Sequence, residues 1–141
     1  MGLWLFKQEP SCYSFADLKR DGRTVWDGVS NNLALKNLGQ VRRNDRVLFY
    51  HTGKEKAVVG EMRAATDPRP AADGGKGVIV EVAFVRALPR AVSLAEIKAD
   101  KLLTRWDLVR LPRLSVVPVS VAQWRRIEEM SKKRDDESAT S

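Results

Sequence analysis

The chain has 141 residues, of which 43% are hydrophobic and 30% charged, so it is long enough and apolar enough to form one globular domain. Its 25 lysines and arginines outnumber 18 acidic residues, and the net charge of +7 suits a polyanion such as nucleic acid, although a merely soluble basic protein has the same balance. A single cysteine and a single histidine exclude an internal disulfide and the usual transition-metal clusters.

Turn residues divide the sequence into short elements. In chain order, the pattern predicts a strand at 3–6, a helix between Ser14 and Gly22, an extended piece at 24–26, helical turns over 31–38, a hairpin of strands at 46–52 and 57–64, a loop at 66–77, a strand at 78–85, a helix from Ser93 to about 99, an extended segment at 111–119 and a last helix after Ser120. Strands mixed with short helices favour a small α+β domain or barrel.

Three local signals support these elements. Ser14 with Asp17, and Ser93 with Glu96, fit capping boxes at the start of two helices. Two prolines in the segment 111–119 favour an edge strand over a central one, because proline cannot donate to a strand ladder.

The whole chain is predicted to be one domain at 1–130, followed by a polar tail at 131–141 that we expect to be disordered. The tail carries three positive and three negative charges, so the basic excess belongs to the folded body. No apolar run approaches the ~18 residues of a membrane span. A cytoplasmic, non-membrane protein is therefore expected.

Trp26 lies in the segment TVWDGVSNN, beside a glycine turn and two asparagines. A flat ring next to hydrogen-bonding groups is what recognition of a flipped or single-stranded base requires. Stacking on an aromatic ring is worth roughly 1–3 kcal/mol per base. The other interpretation of Trp26 is a partly buried packing residue, which composition alone favours.

His51 ends the apolar run VLFYH at the predicted hairpin. In a strand, Phe49 and His51 share one face, and Tyr50 and Thr52 share the other. Either a backbone carbonyl satisfies His51 at the end of the hairpin, or His51 or Thr52 lies at a cavity rim and hydrogen-bonds a ligand.

Catalysis has little support in the sequence. Ser115 as nucleophile, His51 as base and Asp27 as orienting group form the one triad that can be drawn, and these residues are scattered and lack a nucleophile-elbow motif. A phosphate loop and a dinucleotide fingerprint are also missing from the sequence. A hydrolase and a module for a small metabolite remain as alternatives to a nucleic-acid binder.

Four segments in order resemble the EVE domain family: LWLFKQEP (3–10), TVWDGVSNNLALKNL (24–38), RVLFYHTGKEKAVVGE (46–61) and RLSVVPVSVAQW (113–124). The likeness covers nearly all of residues 2–130. It implies a PUA-like fold, a small curved β-barrel with short helices packed around it. The same superfamily contains YTH readers of methylated adenine and SRA readers of methylated cytosine.

The resemblance implies a non-enzymatic reader that binds DNA or RNA. It would hold a modified base, such as 5-methylcytosine, in an aromatic pocket. Trp26 would be the stacking ring. The implied pocket wall consists of Gly28, Val29, Asn31, Phe49, Tyr50, His51, Thr52, Leu114, Ser115 and Val116. The implied phosphate approach consists of Lys7, Lys36 and Arg113. No cofactor or metal is implied, and a monomer is expected.

Three departures from the family pattern bear on the ligand. Gln8 stands where a small hydroxyl residue is common, and residues 30–36 lack the usual arginines and tyrosine of an RNYQARN-like stretch. The loop at 66–77 is shorter than the form with an aromatic insert. A more open pocket or a different ligand follows from these changes.

We also expect Trp26→Ala to abolish base-selective binding while leaving the fold intact.

Overall fold

The computed structural model describes residues 2–71 and 77–132, which form seven strands and five short helices. The strands are β1 (Leu3–Gln8), β2 (Arg23–Trp26), β3 (Arg46–His51), β4 (Ala57–Ala64), β5 (Arg69–Pro70), β6 (Val78–Ser93) and β7 (Val116–Pro118). The helices are α1 (Phe15–Asp21), α2 (Asn32–Leu38), α3 (Leu94–Ala99), α4 (Asp107–Arg110) and α5 (Val121–Lys132). The predicted α+β class is confirmed. Within the described part of the chain, no helix has both the length and the apolar character needed to cross a bilayer.

The strands form one mixed sheet in the order β2-β6-β4-β3-β1-β7, and β5 pairs with the start of β6. β1 runs parallel to β3, while the other neighbours are antiparallel. No pairing between described residues joins β2 to β7, so the closed barrel expected from the sequence is not seen. Helix α2 contacts both β6 and β7, and Asn37 Nδ2 donates to the carbonyl oxygen of Val116 at 2.8 Å. Helix α2 thus lies beside β7, the sheet edge with which a closing strand would pair.

Both predicted capping boxes are confirmed. The Ser14 hydroxyl accepts a hydrogen bond from the Asp17 N–H at 3.1 Å, and the Ser93 hydroxyl accepts one from the Glu96 N–H at 3.1 Å. Asn31 is the N-cap of α2 rather than its first residue. The last helix continues to Lys132, two residues past the predicted domain end, and the tail from 133 on lies outside the described residues.

β6 is the main departure from the predicted elements, because it extends to Ser93 instead of ending at 85. Its register against β4 shifts between the pairs Gly60–Ala87 and Val58–Val92. Pro89 lies in this shifted stretch, where a missing N–H costs no ladder hydrogen bond. Helix α4 was not predicted, because its N-cap, Trp106, makes no side-chain cap. The predicted loop at 66–77 contains β5, and its residues 72–76 lie outside the described structure.

Asp45, which is buried, ties the start of β1 to the turn before β3. Its carboxylate accepts three hydrogen bonds: from the Gly2 N–H at 2.8 Å, the Trp4 indole N–H at 3.0 Å and the Arg42 N–H at 2.9 Å. A buried carboxylate is tolerated when its oxygens are satisfied in this way. Asp45 therefore fixes where β1 begins relative to β3.

Glu96 makes the stability of the fold sensitive to acid. Hydrogen bonds from Arg90, followed by the cap at Ser93, hold the pKa of Glu96 at about 2. Because the folded pKa lies below the unfolded value, the stabilisation is complete above about pH 4.5 and is lost as the pH falls toward 2. We expect Glu96→Gln to be destabilised relative to the natural chain at neutral pH and to approach it near pH 2. Urea denaturation across this range measures the difference.

The matched control is Glu129→Gln, which removes a carboxylate whose side chain is 64% exposed. This variant should track the natural chain at every pH, because an exposed ion pair contributes little. A Glu96→Gln difference that stays constant down to pH 2 would contradict the linkage.

Candidate functional site

Trp26 ends β2 inside an aromatic cluster and is only 4% exposed. Its ring centroid lies 5.4 Å from that of Phe6 and 5.4 Å from that of Phe49, with the Phe49 ring edge-on. Phe49 in turn contacts Phe15 of α1. The indole is therefore a packing residue first, as composition alone favoured, and not an open plate.

One side of this cluster nevertheless borders a hollow of about 470 Å³, which we name the Trp26 cavity. Its size falls within the ~300–1,000 Å³ typical of ligand pockets. Trp26 supplies an apolar part of the wall. The other lining side chains are mostly polar and include Gln8, Cys12, Tyr13, Thr24 and Asp27. An apolar ring beside amide, hydroxyl and carboxylate groups can hold a heterocycle and hydrogen-bond its edge.

Strand alternation explains why Gln8 and not Lys7 lies in the Trp26 cavity. Phe6 and Gln8 share a face of β1, and Phe6 packs against Trp26. Gln8 Oε1 accepts a hydrogen bond from the Glu9 N–H at 3.0 Å, which orients its amide. Lys7 points to the opposite face of the sheet and lines a different hollow.

The loop that carries Tyr13 forms the other side of the Trp26 cavity. The Tyr13 hydroxyl donates to Asp21 Oδ2 at 2.9 Å. Burial, followed by this bond to Asp21, raises the pKa of Tyr13, so the phenol stays protonated at neutral pH. The Tyr13 hydroxyl can therefore accept a hydrogen bond from a ligand, but its own proton is already donated to Asp21.

The residues expected to form one pocket wall are divided among neighbouring hollows. Gly28 and Val29 line a second hollow of about 450 Å³, which shares Asp27 with the Trp26 cavity. Asn31, Arg113 and Leu114 line a third of about 400 Å³. Local geometry accounts for the positions of two of these residues. Gly28 has a φ of 74°, and the Asn31 side chain accepts a hydrogen bond from the Ala34 N–H at 3.0 Å. The segment after Trp26 thus runs past all three hollows.

His51 is buried, and both of its ring nitrogens are engaged. Nε2 accepts a hydrogen bond from the Phe15 N–H at 3.0 Å, so the proton lies on Nδ1, which faces Glu55 Oε1 at 2.6 Å. The imidazole therefore anchors the N-terminus of α1 to the end of β3. His51 is thus satisfied within the protein, but by the Phe15 N–H and the Glu55 carboxylate and not by the backbone carbonyl expected from the sequence.

The hydrolase alternative is not assembled in this fold. The Ser115 carbonyl accepts from the Lys7 N–H at 2.9 Å, so Ser115 lies beyond β1, while His51 lies on β3. Strands are ~4.8 Å apart, which separates their backbones by about 10 Å. Since Nε2 of His51 is already bound to Phe15, it is not available as a base for Ser115.

The remaining predicted residues fall into three groups. Phe49 and Val116 are fully buried and belong to the core, so neither lines an accessible pocket. Lys7, Tyr50 and Thr52 line one further hollow on the opposite face of β1 and β3. The predicted alternation of Phe49 and His51 against Tyr50 and Thr52 is thereby confirmed. Lys36 is exposed on α2.

Many arginines are less available to a polyanion than the net charge indicates. Ion pairs within 4.0 Å of a carboxylate involve Arg20, Arg23, Arg46, Arg69, Arg86, Arg90, Arg110 and Arg126. None of the ion pairs between described residues uses a lysine. The lysines are thus more available to a phosphate than these eight arginines.

Sequence reasoning missed most of the Trp26 cavity. Gln8 could have been found, because strand alternation puts it on the face of Phe6. Thr24 could also have been found, because it shares a face of β2 with Trp26. Tyr13 carried no signal, since its approach to Trp26 depends on how the loop before α1 packs. Cys12 is exposed at this cavity. Within residues 2–71 and 77–132, no three metal-ligating side chains of the His, Cys, Asp or Glu type lie together.

The profile of the EVE domain matches residues 2–130. Thymocyte nuclear protein 1 of Homo sapiens is 31% identical over 124 aligned residues, covering 68% of this chain and 55% of that protein, so the chain spans about half the length of the curated relatives it matches. A crystal structure from Agrobacterium tumefaciens is similar with a TM-score of 0.91 at 30% identity, over 96% of both chains. Human THYN1 protein, crystallised in complex with 5-methylcytosine-containing DNA, has a TM-score of 0.88 at 26% identity, over 95% of this chain and 99% of that one.

Proposed function

The chain belongs to the EVE domain family, and on that premise we propose that it is a nucleic-acid reader which takes one modified base, of the 5-methylcytosine kind, into the Trp26 cavity. The observation that carries the proposal is the cavity itself, because it brings the small exposed part of Trp26 together with polar side chains in a volume of about 470 Å³. The related human THYN1 protein was crystallised with 5-methylcytosine-containing DNA.

The chemistry of the cavity suits a methylated pyrimidine. Val25, which is 41% exposed, and the small exposed part of Trp26 can contact a methyl group. Gln8 offers an amide donor and acceptor, Thr24 a hydroxyl, and Asp27 an acceptor for an exocyclic amine. Such groups choose among bases through their edges once the base has left the stack.

Binding rather than catalysis is the role we infer for this module. The only histidine holds the start of α1, and Ser115 lies two strands away from it in the sheet order. The net charge of +7 favours association with a phosphate backbone at low salt. A reader must bind a base and a phosphate backbone, and it needs no reacting group.

The test compares oligonucleotides that differ only in one cytosine methyl group, as DNA and as RNA, by fluorescence anisotropy. We expect the natural chain to prefer the methylated strand and Gln8→Ala to lose about 1–2 kcal/mol of binding free energy, about 5- to 30-fold in affinity, because a base edge loses its partner. Gln40→Ala, the same change at an exposed position, is the matched control and should leave affinity unaltered.

The only thiol gives a second readout of the same site. Cys12 is exposed at the Trp26 cavity, so its alkylation by iodoacetamide should slow when a methylated oligonucleotide is bound. Equal affinity for methylated and plain strands, with no protection of Cys12, would refute base recognition in this cavity. Absence of binding to every oligonucleotide would refute the reader itself.

A further inference from the structure

Lys7, Lys56 and Lys98 line one hollow of about 300 Å³ on the sheet face opposite the Trp26 cavity. We name it the lysine cavity. Lys7 pairs with Tyr50 in the parallel β1–β3 ladder, and both side chains point away from Phe6 and Phe49. The lysine cavity and the Trp26 cavity are thus separated by the two strands.

Its composition is cationic at the rim and apolar at the floor. Tyr50 and Leu108 are almost fully buried, while Lys56 and Lys98 are exposed. The other lining residues include Thr52 and Leu94, and no carboxylate-bearing residue is among them. Three ammonium groups around one hollow without an acid repel each other, so the arrangement favours an anion between them.

The carboxylates nearest to Lys7 and Lys56 in the sequence have partners of their own. Glu9 accepts a hydrogen bond from the Thr52 hydroxyl at 3.1 Å, and Glu55 faces His51 at 2.6 Å. As stated above, the ion pairs between described residues do not use lysine. No ion pair between described residues neutralises these lysines, and the Glu9 carboxylate lies at the edge of the cavity beside Thr52 and Gly53.

Lys7 is the half-buried member of the group. Its Nζ donates to the Pro112 carbonyl oxygen at 2.9 Å and lies 5.5 Å from the centre of the Tyr50 ring. Burial lowers the pKa of Lys7, because the charged form has lost water. An anion in the cavity would stabilise that charge again, which adds to the geometric argument.

We infer that the lysine cavity binds a phosphoryl group. An ammonium is a compact charge with three donors, and lysines commonly bind phosphate in this way. The volume and the apolar floor leave room for a small substituent on the phosphate. The phosphoryl group can come from the backbone of a bound nucleic acid or from a free phosphorylated small molecule.

Inorganic phosphate is the first probe, because it needs neither base recognition nor a particular oligonucleotide. Amide chemical shifts of the 15N-labelled chain are followed while phosphate replaces chloride at constant ionic strength. We expect saturable shifts at Gly53, Lys56 and Lys98. In the double variant Lys56→Gln/Lys98→Gln, the affinity should fall about tenfold or more, since two charged donors are lost.

The matched control is Lys19→Gln/Lys101→Gln, which removes the same charge from exposed lysines outside the cavity. It should keep the phosphate shifts. Absence of saturable shifts in the natural chain, or equal loss in both double variants, would overturn the inference. Because no base is present, this failure is distinct from failure of the reader proposal.

A second arm identifies the source of the phosphoryl group. If the backbone of a nucleic acid supplies it, Lys56→Gln/Lys98→Gln should lower the slope of log affinity against log salt by about 1.8, and inorganic phosphate should compete with the oligonucleotide. If a free phosphorylated molecule supplies it, the salt slope of both double variants should be equal while phosphate binding differs. Either result supports a phosphoryl site.

Discussion

Trp26→Ala is expected to lower the free energy of unfolding by about 3–5 kcal/mol, the usual cost of deleting a large buried aromatic side chain. The indole is 4% exposed and contacts the rings of Phe6 and Phe49 on two neighbouring strands. Its loss leaves a void beneath the Trp26 cavity that the sheet cannot collapse to fill. Urea denaturation followed by circular dichroism measures the change.

This expectation replaces the one drawn from the sequence, in which the fold survived Trp26→Ala. Two variants separate stability from binding. Val25→Ala changes a neighbouring side chain that is 41% exposed and should cost less than about 0.5 kcal/mol. Trp26→Phe keeps most of the buried surface, so it should stay folded while binding methylated strands more weakly. A Trp26→Ala chain as stable as Val25→Ala would contradict the packing role.

Asp45→Ala is expected to destabilise the fold by about 3 kcal/mol, because three N–H donors lose a charged acceptor at once. Those donors belong to Gly2, Trp4 and Arg42, and the bond to the Trp4 indole is buried. Water cannot readily replace the carboxylate at that indole. The measurement is again the free energy of unfolding in urea, together with hydrogen exchange of the Trp4 indole.

Asp67→Ala provides the comparison for Asp45→Ala. Asp67 also accepts a backbone hydrogen bond, from the Arg43 N–H at 2.8 Å, but this bond is exposed. Its loss should cost less than about 1 kcal/mol, since water can take the place of the acceptor. Similar effects of the two variants would show that burial of Asp45 does not matter.

Local signals in the sequence predicted most elements well. Ser14 and Ser93 carry capping boxes, and both helices begin where those residues indicate. Long-range pairing was less accessible: β6 continues to Ser93 because β4 accompanies it through a shift in register. Closure of a barrel was inferred from a resemblance, and it depends on whether distant edges meet, which no local pattern encodes.

The candidate site divides in the same way. Alternation along β3 correctly separated Tyr50 from His51. It could not say which face borders the Trp26 cavity, because that depends on the parallel pairing of β1 with β3 and on Phe6 packing against Trp26. The pairing of arginines with acids far along the chain, such as Arg86 with Glu128, was equally invisible in composition.

Lys7 and Gln8 are neighbours on β1 but line different hollows, so the number of residues in this strand is itself constrained. Asp45 holds the beginning of β1, while six consecutive residues pair with β3. Inserting or deleting one residue between Gly2 and Lys7 would turn every later side chain to the other face, sending an ammonium toward Trp26 and an amide toward Tyr50. A substitution in this segment changes one side chain, whereas an insertion or deletion would exchange the side chains that line both cavities at once.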